Sequence, residues 1–120
     1  MATWTEVKAF LFQNYKIDND SGDTVRLTFS TGTTSQVVIV GNLDPFIIFS
    51  SPVAKVGDVP PGKVLEGVTH FGASVVGEFY ALQHLGLLAT LDGDEITVPL
   101  ALLAVTADKL EIALTGKDTF

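Results

Sequence analysis

Between residues 96 and 114 the apolar side chains return every three or four positions. Ile96, Leu100, Leu103, Ala107, Leu110 and Leu114 step by four, three, four, three and four. That spacing places all six on one side of a helix. A helix with one long apolar side must lie on another apolar layer, so it demands a sheet or further helices beneath it. Directly upstream, 75–82 and 87–91 read as two strands joined by a very short turn. Asp92-Gly93-Asp94 supplies turn chemistry, and Thr97 is the expected cap of the last helix because proline, here Pro99, belongs in a first turn. The chain is therefore expected to close on a hairpin followed by a helix.

The rest of the chain supplies the layer. Thr3-Trp4-Thr5-Glu6 fits a capping box, with Thr3 accepting from the Glu6 amide and Glu6 reaching back to the Thr3 amide. A helix then runs to about Tyr15, with Trp4, Val7, Phe10 and Leu11 inward. Asp18-Asn19-Asp20-Ser21-Gly22-Asp23 suggests a calcium loop but fails its spacing. Glycine comes fifth rather than sixth, and the twelfth residue is Phe29 rather than Glu, so a turn is expected there. Residues 24–30 alternate, with Val25, Leu27 and Phe29 on one face and Thr24, Arg26, Thr28 and Ser30 on the other. A turn at 30–33, a strand at 36–40, a turn at 42–45 and the two-sided apolar run Phe46-Ile47-Ile48-Phe49 complete an antiparallel meander.

Gly57-Asp58-Val59-Pro60-Pro61-Gly62-Lys63-Val64 matches the phosphate-loop spacing G-x-x-x-x-G-K. Its chemistry does not follow. Val64 has no hydroxyl for magnesium, and Pro60 and Pro61 lack the amides that would cradle phosphates. A rigid linker entering a short helix is the expected structure. That helix would bury Val64, Leu65 and Val68, with Gly67 weakening it.

Length and composition set the outer limits. At 120 residues and 12.8 kDa the chain suits one domain, 1–120. Area scaling for that mass gives roughly 6,300 Å² folded against about 18,600 Å² unfolded, enough burial for a core without staples. Cysteine is absent, which removes disulfides and thiolate metal sites. The net charge of −7 argues against nucleic acid and anionic membranes as partners. The start of the chain lacks a basic region followed by an apolar run, and no run is long enough to span a bilayer. A cytoplasmic location is expected.

Reactive side chains are few. His70 is expected to end a helix and His84 to sit in the hairpin turn, and with only these two histidines no metal site is expected. No serine stands in a nucleophile-elbow context, so no catalytic residues are assigned. Glu78 shares a strand face with Val76, Tyr80 and Leu82, where it could act as a general acid or ion-pair partner. A rim position is the simpler reading. No cofactor is expected.

The predicted fold class is α+β, a five-stranded antiparallel sheet with three helices in the order α-β-β-β-α-β-β-α. That order resembles the YbjN-like proteins, which share the type III secretion chaperone fold. The resemblance is carried by residues 46–55 with Ser50-Ser51-Pro52-Val53-Ala54, by Leu85-Gly86-Leu87-Leu88, and by 100–111 with Ala104-Val105-Thr106-Ala107-Asp108-Lys109-Leu110-Glu111. It implies a bacterial, non-enzymatic protein. YbjN-like members are described as regulators of sensory transduction, and the secretion chaperones are small acidic dimers that bind extended segments of other proteins. The resemblance brings no catalytic residues with it.

Two functional readings remain open. The first is a non-catalytic protein-interaction module, chaperone-like, forming a homodimer and binding another protein. Its motive is the apolar character of 37–40, 46–49 and 87–91 on both sides of the sheet, more than three helices can cover. Phe46, Ile48, Val64, Val68 and Leu88 are the candidate interaction surface, with dimerisation through a sheet face or the short middle helix. The second is a small-molecule binder or enzyme with a pocket between sheet and helices near Glu78, Tyr80 and His84.

Overall fold

The computed structural model describes residues 3–68, 71–117 and 119–120. The elements run α1 (Trp4–Asn14), β1 (Ile17–Asp20), β2 (Thr24–Ser30), β3 (Ser35–Leu43), β4 (Phe46–Lys55), α2 (Pro61–Gly67), β5 (Gly72–Val76), β6 (Phe79–Leu87) and α3 (Gly93–Thr115). A 3-10 turn at Leu88–Thr90 joins β6 to α3. All strands pair antiparallel in one sheet, ordered β1-β2-β3-β4-β6-β5.

The sheet therefore has six strands rather than the expected five, and the order is α-β-β-β-β-α-β-β-α, with the 3-10 turn before the last helix. The extra strand is β1, which lies in the stretch that reads as an acidic turn. Its side chains are Ile17, Asp18, Asn19 and Asp20, and only Ile17 is even half-buried. No apolar alternation announces such a strand. Its backbone pairs with β2 from Ile17↔Leu27 to Asp20↔Val25, and its charges suit an edge that must not recruit other strands. The turn shrinks to residues 21–23, closed by the Ser21 amide on the Thr24 carbonyl at 2.9 Å.

The last hairpin also shifts. Its turn is Gly77-Glu78, where Gly77 takes φ +61° and spares the chain a Cβ clash. β6 then runs to Leu87, so His84 lies in a strand and Glu78 in the turn. The segment 87–91 does not pair with 75–82. Leu88 and Leu91 are both buried and three residues apart, which fits a 3-10 turn rather than alternation. α3 starts at Gly93 and not at Thr97. The Asp92 carboxylate accepts from the Glu95 amide at 2.9 Å, leaving Pro99 inside the helix. The carbonyl that Pro99 leaves without an amide belongs to Glu95, on the exposed side where water can reach it.

All three helices cover one face of the sheet. α3 crosses β3, β4 and β6. Its buried Ile96, Leu100, Leu103, Ala104, Ala107 and Leu110 join the core with Val38, Val40, Ile47, Phe49 and Leu82. The expected stripe is thus the buried one, with Leu114 packed at its margin. α1 begins at the expected Thr3 cap, although Glu6 takes the Thr3 hydroxyl and not its amide. It buries Val7 and Leu11 and is tied to the β1–β2 turn by the Trp4 indole N–H on the Gly22 carbonyl, 2.8 Å. α2 buries Val64 and closes on α3 at Gly67, where a Cβ would overlap the Leu110 side chain.

Candidate functional site

No described helix covers the other face of the sheet, and its sequence pattern builds a surface row by row. Leu43 pairs with Phe46, and Phe46 with Leu87. Next to them, Gly41 pairs with Ile48, and Ile48 with Leu85. Leu43, Phe46, Leu85 and Leu87 are 40–53% exposed, and Ile48 is half-buried between its neighbours. Five large apolar side chains thus stand together over three central strands. Odd positions of β3 and even positions of β4 point here because strand side chains alternate. The even positions of β3 and odd positions of β4 enter the core instead.

A polar belt follows in the next row. Ile39 pairs with Ser50, and Ser50 with Gln83. The Gln83 amide donates to Ser50 Oγ at 3.0 Å, and the Ser74 hydroxyl donates to Gln83 Oε1. Beyond the belt lies a groove of about 320 Å³ lined by Ile39, Pro52, Val76, Phe79, Ala81 and Phe120, with Arg26 at its wall. Phe120 stands edge-on to Phe79 at 5.3 Å. The amides of Thr119 and Phe120 donate to Glu111 Oε2 at 2.6 and 3.1 Å. A tail after the helix-ending Gly116 is expected to fray as chain ends do, but at Thr119 and Phe120 it is folded back against α3 and the sheet.

Of the five residues expected to form an interaction surface, the structure brings Phe46 and Ile48 to the open face. Val64 and Leu88 are buried in the core, and Val68 packs against it. Val64 and Leu88 cannot meet a partner without unfolding, and Val68 is half-buried away from the open face. Leu43, Leu85 and Leu87 complete the patch. Their signal lies in the register: once Phe46 is placed on the open face, its cross-strand partners must follow it there.

The small-molecule reading loses its constellation. Glu78, Tyr80 and His84 line three separate depressions. His84 lies on the helix-covered face, with Phe49 at 5.7 Å and Phe71 at 6.2 Å. A larger cavity of about 700 Å³ does open where β4 meets the end of α3, between Ala54, Val59, Leu114 and Thr115, and none of the three residues lines it. His70 lies outside the described residues. Among the described residues no group of three or more His, Asp or Glu side chains is placed to hold a metal ion. The phosphate-loop look-alike forms α2 with Pro61 as its first residue, and Lys63 stands exposed beside Glu66 at 3.8 Å.

Asp108 and Gln36 are buried and each has structural partners, although Asp108 Oδ1 and Gln36 Oε1 find no hydrogen bond among the described residues. Asp108 accepts from Thr31 and Thr34 at 2.9 and 2.6 Å, pinning the β2–β3 turn to α3. Gln36 donates to Ser51 Oγ and the Pro52 carbonyl at 2.8 and 2.7 Å. At the surface, the Lys8 ammonium lies 2.9 Å from Asp20. That bond, with help from the Gly22 amide, holds the Asp20 carboxyl below its ordinary range. Among the described residues no helix is long and apolar enough to cross a membrane. Comparison with protein-family models, curated proteins and solved structures finds no match to this chain.

Proposed function

We propose that the chain is a non-catalytic protein-interaction module that works as a homodimer and holds another protein against the open face of its sheet. One observation carries this reading: Leu43, Phe46, Ile48, Leu85 and Leu87 form a contiguous apolar patch that no described helix covers. A monomer that leaves such a patch in water gives up burial worth roughly 25 cal/mol for each Å². The patch is ruled by strand spacing. It suits the side chains of another polypeptide, whereas a small ligand needs a concave site that encloses most of its surface. The element order differs from that of the YbjN-like proteins and secretion chaperones by the extra strand β1, and what is left of that resemblance, the short stretches 46–55, 85–88 and 100–111, fits a small acidic cytoplasmic protein that binds other proteins.

A photo-cross-linking residue tests the reading. Placed at Phe46 or Leu85 in the source cell, it is expected to form a discrete adduct with a second polypeptide, and at exposed Glu66 of α2 it is not. The absence of adducts from both patch positions would overturn it. Adducts to a second copy alone would make the sheet the dimer contact and leave it no other partner.

A further inference from the structure

α3 carries a second apolar stripe. Val98, Leu102, Val105 and Ile112 are 41–56% exposed. With Glu95 and Lys109, also exposed, they recur at alternating steps of three and four from 95 to 112. At 3.6 residues per turn these six positions fall within roughly 100° around the helix, on the side away from the buried stripe. A three-four repeat on a solvent-facing helix is the spacing of a two-helix seam. In a helix whose other side already fills the core, intramolecular packing does not account for it.

The geometry points to a second copy of this chain as the occupant, with the two α3 helices paired antiparallel. This rests on the homodimer proposed above and assigns its contact to α3, not to the sheet or to α2. Charge decides the direction. In a parallel pair the acidic starts of both helices, Asp92, Asp94 and Glu95, would lie side by side, and Lys109 would face Lys109. In an antiparallel pair centred between Leu102 and Val105, each Leu102 meets the other copy's Val105. Each Lys109 comes opposite Val98, within one turn of Glu95 and Asp94 of the other copy. The only charged residues on the stripe are then complementary, and Ala101 beside it lets the helices approach closely.

Residues 95 to 112 span roughly 26 Å, so a seam of that length on a helix about 10 Å wide has a footprint on the order of 260 Å² per copy. The total of roughly 500 Å² is below that of a standard interface, so a weak dimer, micromolar at best, is expected rather than an obligate one. The open sheet face meets the start of this seam at a depression that Leu85 and Leu87 share with Glu95 and Val98, while Leu43, Phe46 and Ile48 lie outside that depression and remain available to a different protein.

Sedimentation equilibrium on charge variants tests the pairing. Lys109→Glu and Glu95→Lys should each weaken the dimer about fivefold, and the double variant should return within about twofold of the parent. Leu102→Glu should raise the dissociation constant at least about thirtyfold, with an unchanged far-UV circular dichroism spectrum. A Lys109→Glu dimer tighter than the parent would overturn the antiparallel arrangement. A Leu102→Glu protein that dimerises like the parent would remove the contact from α3 and leave the homodimer standing. A parent chain that stays monomeric at high micromolar concentration would remove both.

Discussion

Leu102 and Leu103 are neighbours in sequence and opposites in the structure. Leu103 is fully buried against the sheet, while Leu102 is 56% exposed on the far side of the same helix. The two stripes they belong to share the three-four spacing, but the exposed one carries Glu95 and Lys109 among its apolar residues and the buried one carries no charge. Among the described residues the fold supplies a sheet for one side of α3 and no cover for the other. The sheet shows the same contrast, with Phe49 in the core and Phe46 on the open face. Apolar periodicity therefore marks surfaces that need covering, and the topology decides which of them the chain covers by itself.

The largest expected effect breaks this contrast directly. Leu103→Ala should destabilise the fold by about 2–5 kcal/mol, the cost of lost burial plus a cavity. Leu102→Ala, measured by denaturant unfolding at dilute, monomeric concentration, should stay within about 0.5 kcal/mol. Equal losses would show that the two sides of α3 are not distinguished in solution. Asp108→Ala comes next, at about 1–3 kcal/mol, because it strips Thr31 and Thr34 of the acceptor that ties their turn to the buried side of α3. An effect of a few tenths would mean that the turn is not held there. The helix start gives a smaller step. Asp92→Ala should cost about 1 kcal/mol and Thr97→Ala much less, since only Asp92 caps the first amides. The reverse ranking would restore a helix that begins at Thr97.

The smallest effect concerns the surface pair Lys8–Asp20, away from both stripes. Its folded-state carboxyl titrates below the unfolded value of about 4. The unfolded chain then takes up the proton first as pH falls, so the stabilisation is present above about pH 4 and is lost as pH drops through the folded-state value. Lys8→Met should flatten that part of the acid-unfolding curve, lowering stability slightly at pH 7, where the stabilisation is present, and leaving it unchanged below the folded-state value. An identical curve would mean that the pair makes no difference to folding.

Elements with a strong, singular pattern are legible in the sequence alone. The buried stripe from Ile96 to Leu110, the alternation from Thr24 to Ser30 and the Thr3 cap all reappear in the fold. β1 is not legible, because a polar edge strand is held by backbone bonds that leave no mark on side-chain chemistry. The last hairpin reads out of place because Gly77, rather than the more conspicuous His84, is the residue that permits the turn. Pro99 reads as a helix start and so hides Asp92 as the cap. The cost of Pro99 falls on one exposed carbonyl, and a long helix well packed beneath it tolerates that. Part of the interaction patch is visible in Phe46 and Ile48. Leu43, Leu85 and Leu87 need the register, and of the other three candidates Val64 and Leu88 belong to the core while Val68 packs at its margin.

The central claim is that this chain leaves apolar surface outside its core for a second copy of itself. Light scattering over a concentration series reads it most directly. The weight-average mass should climb from 12.8 kDa toward twice that value as concentration passes through the micromolar range. A mass fixed at 12.8 kDa up to high micromolar concentration, at both low and high salt, would contradict it.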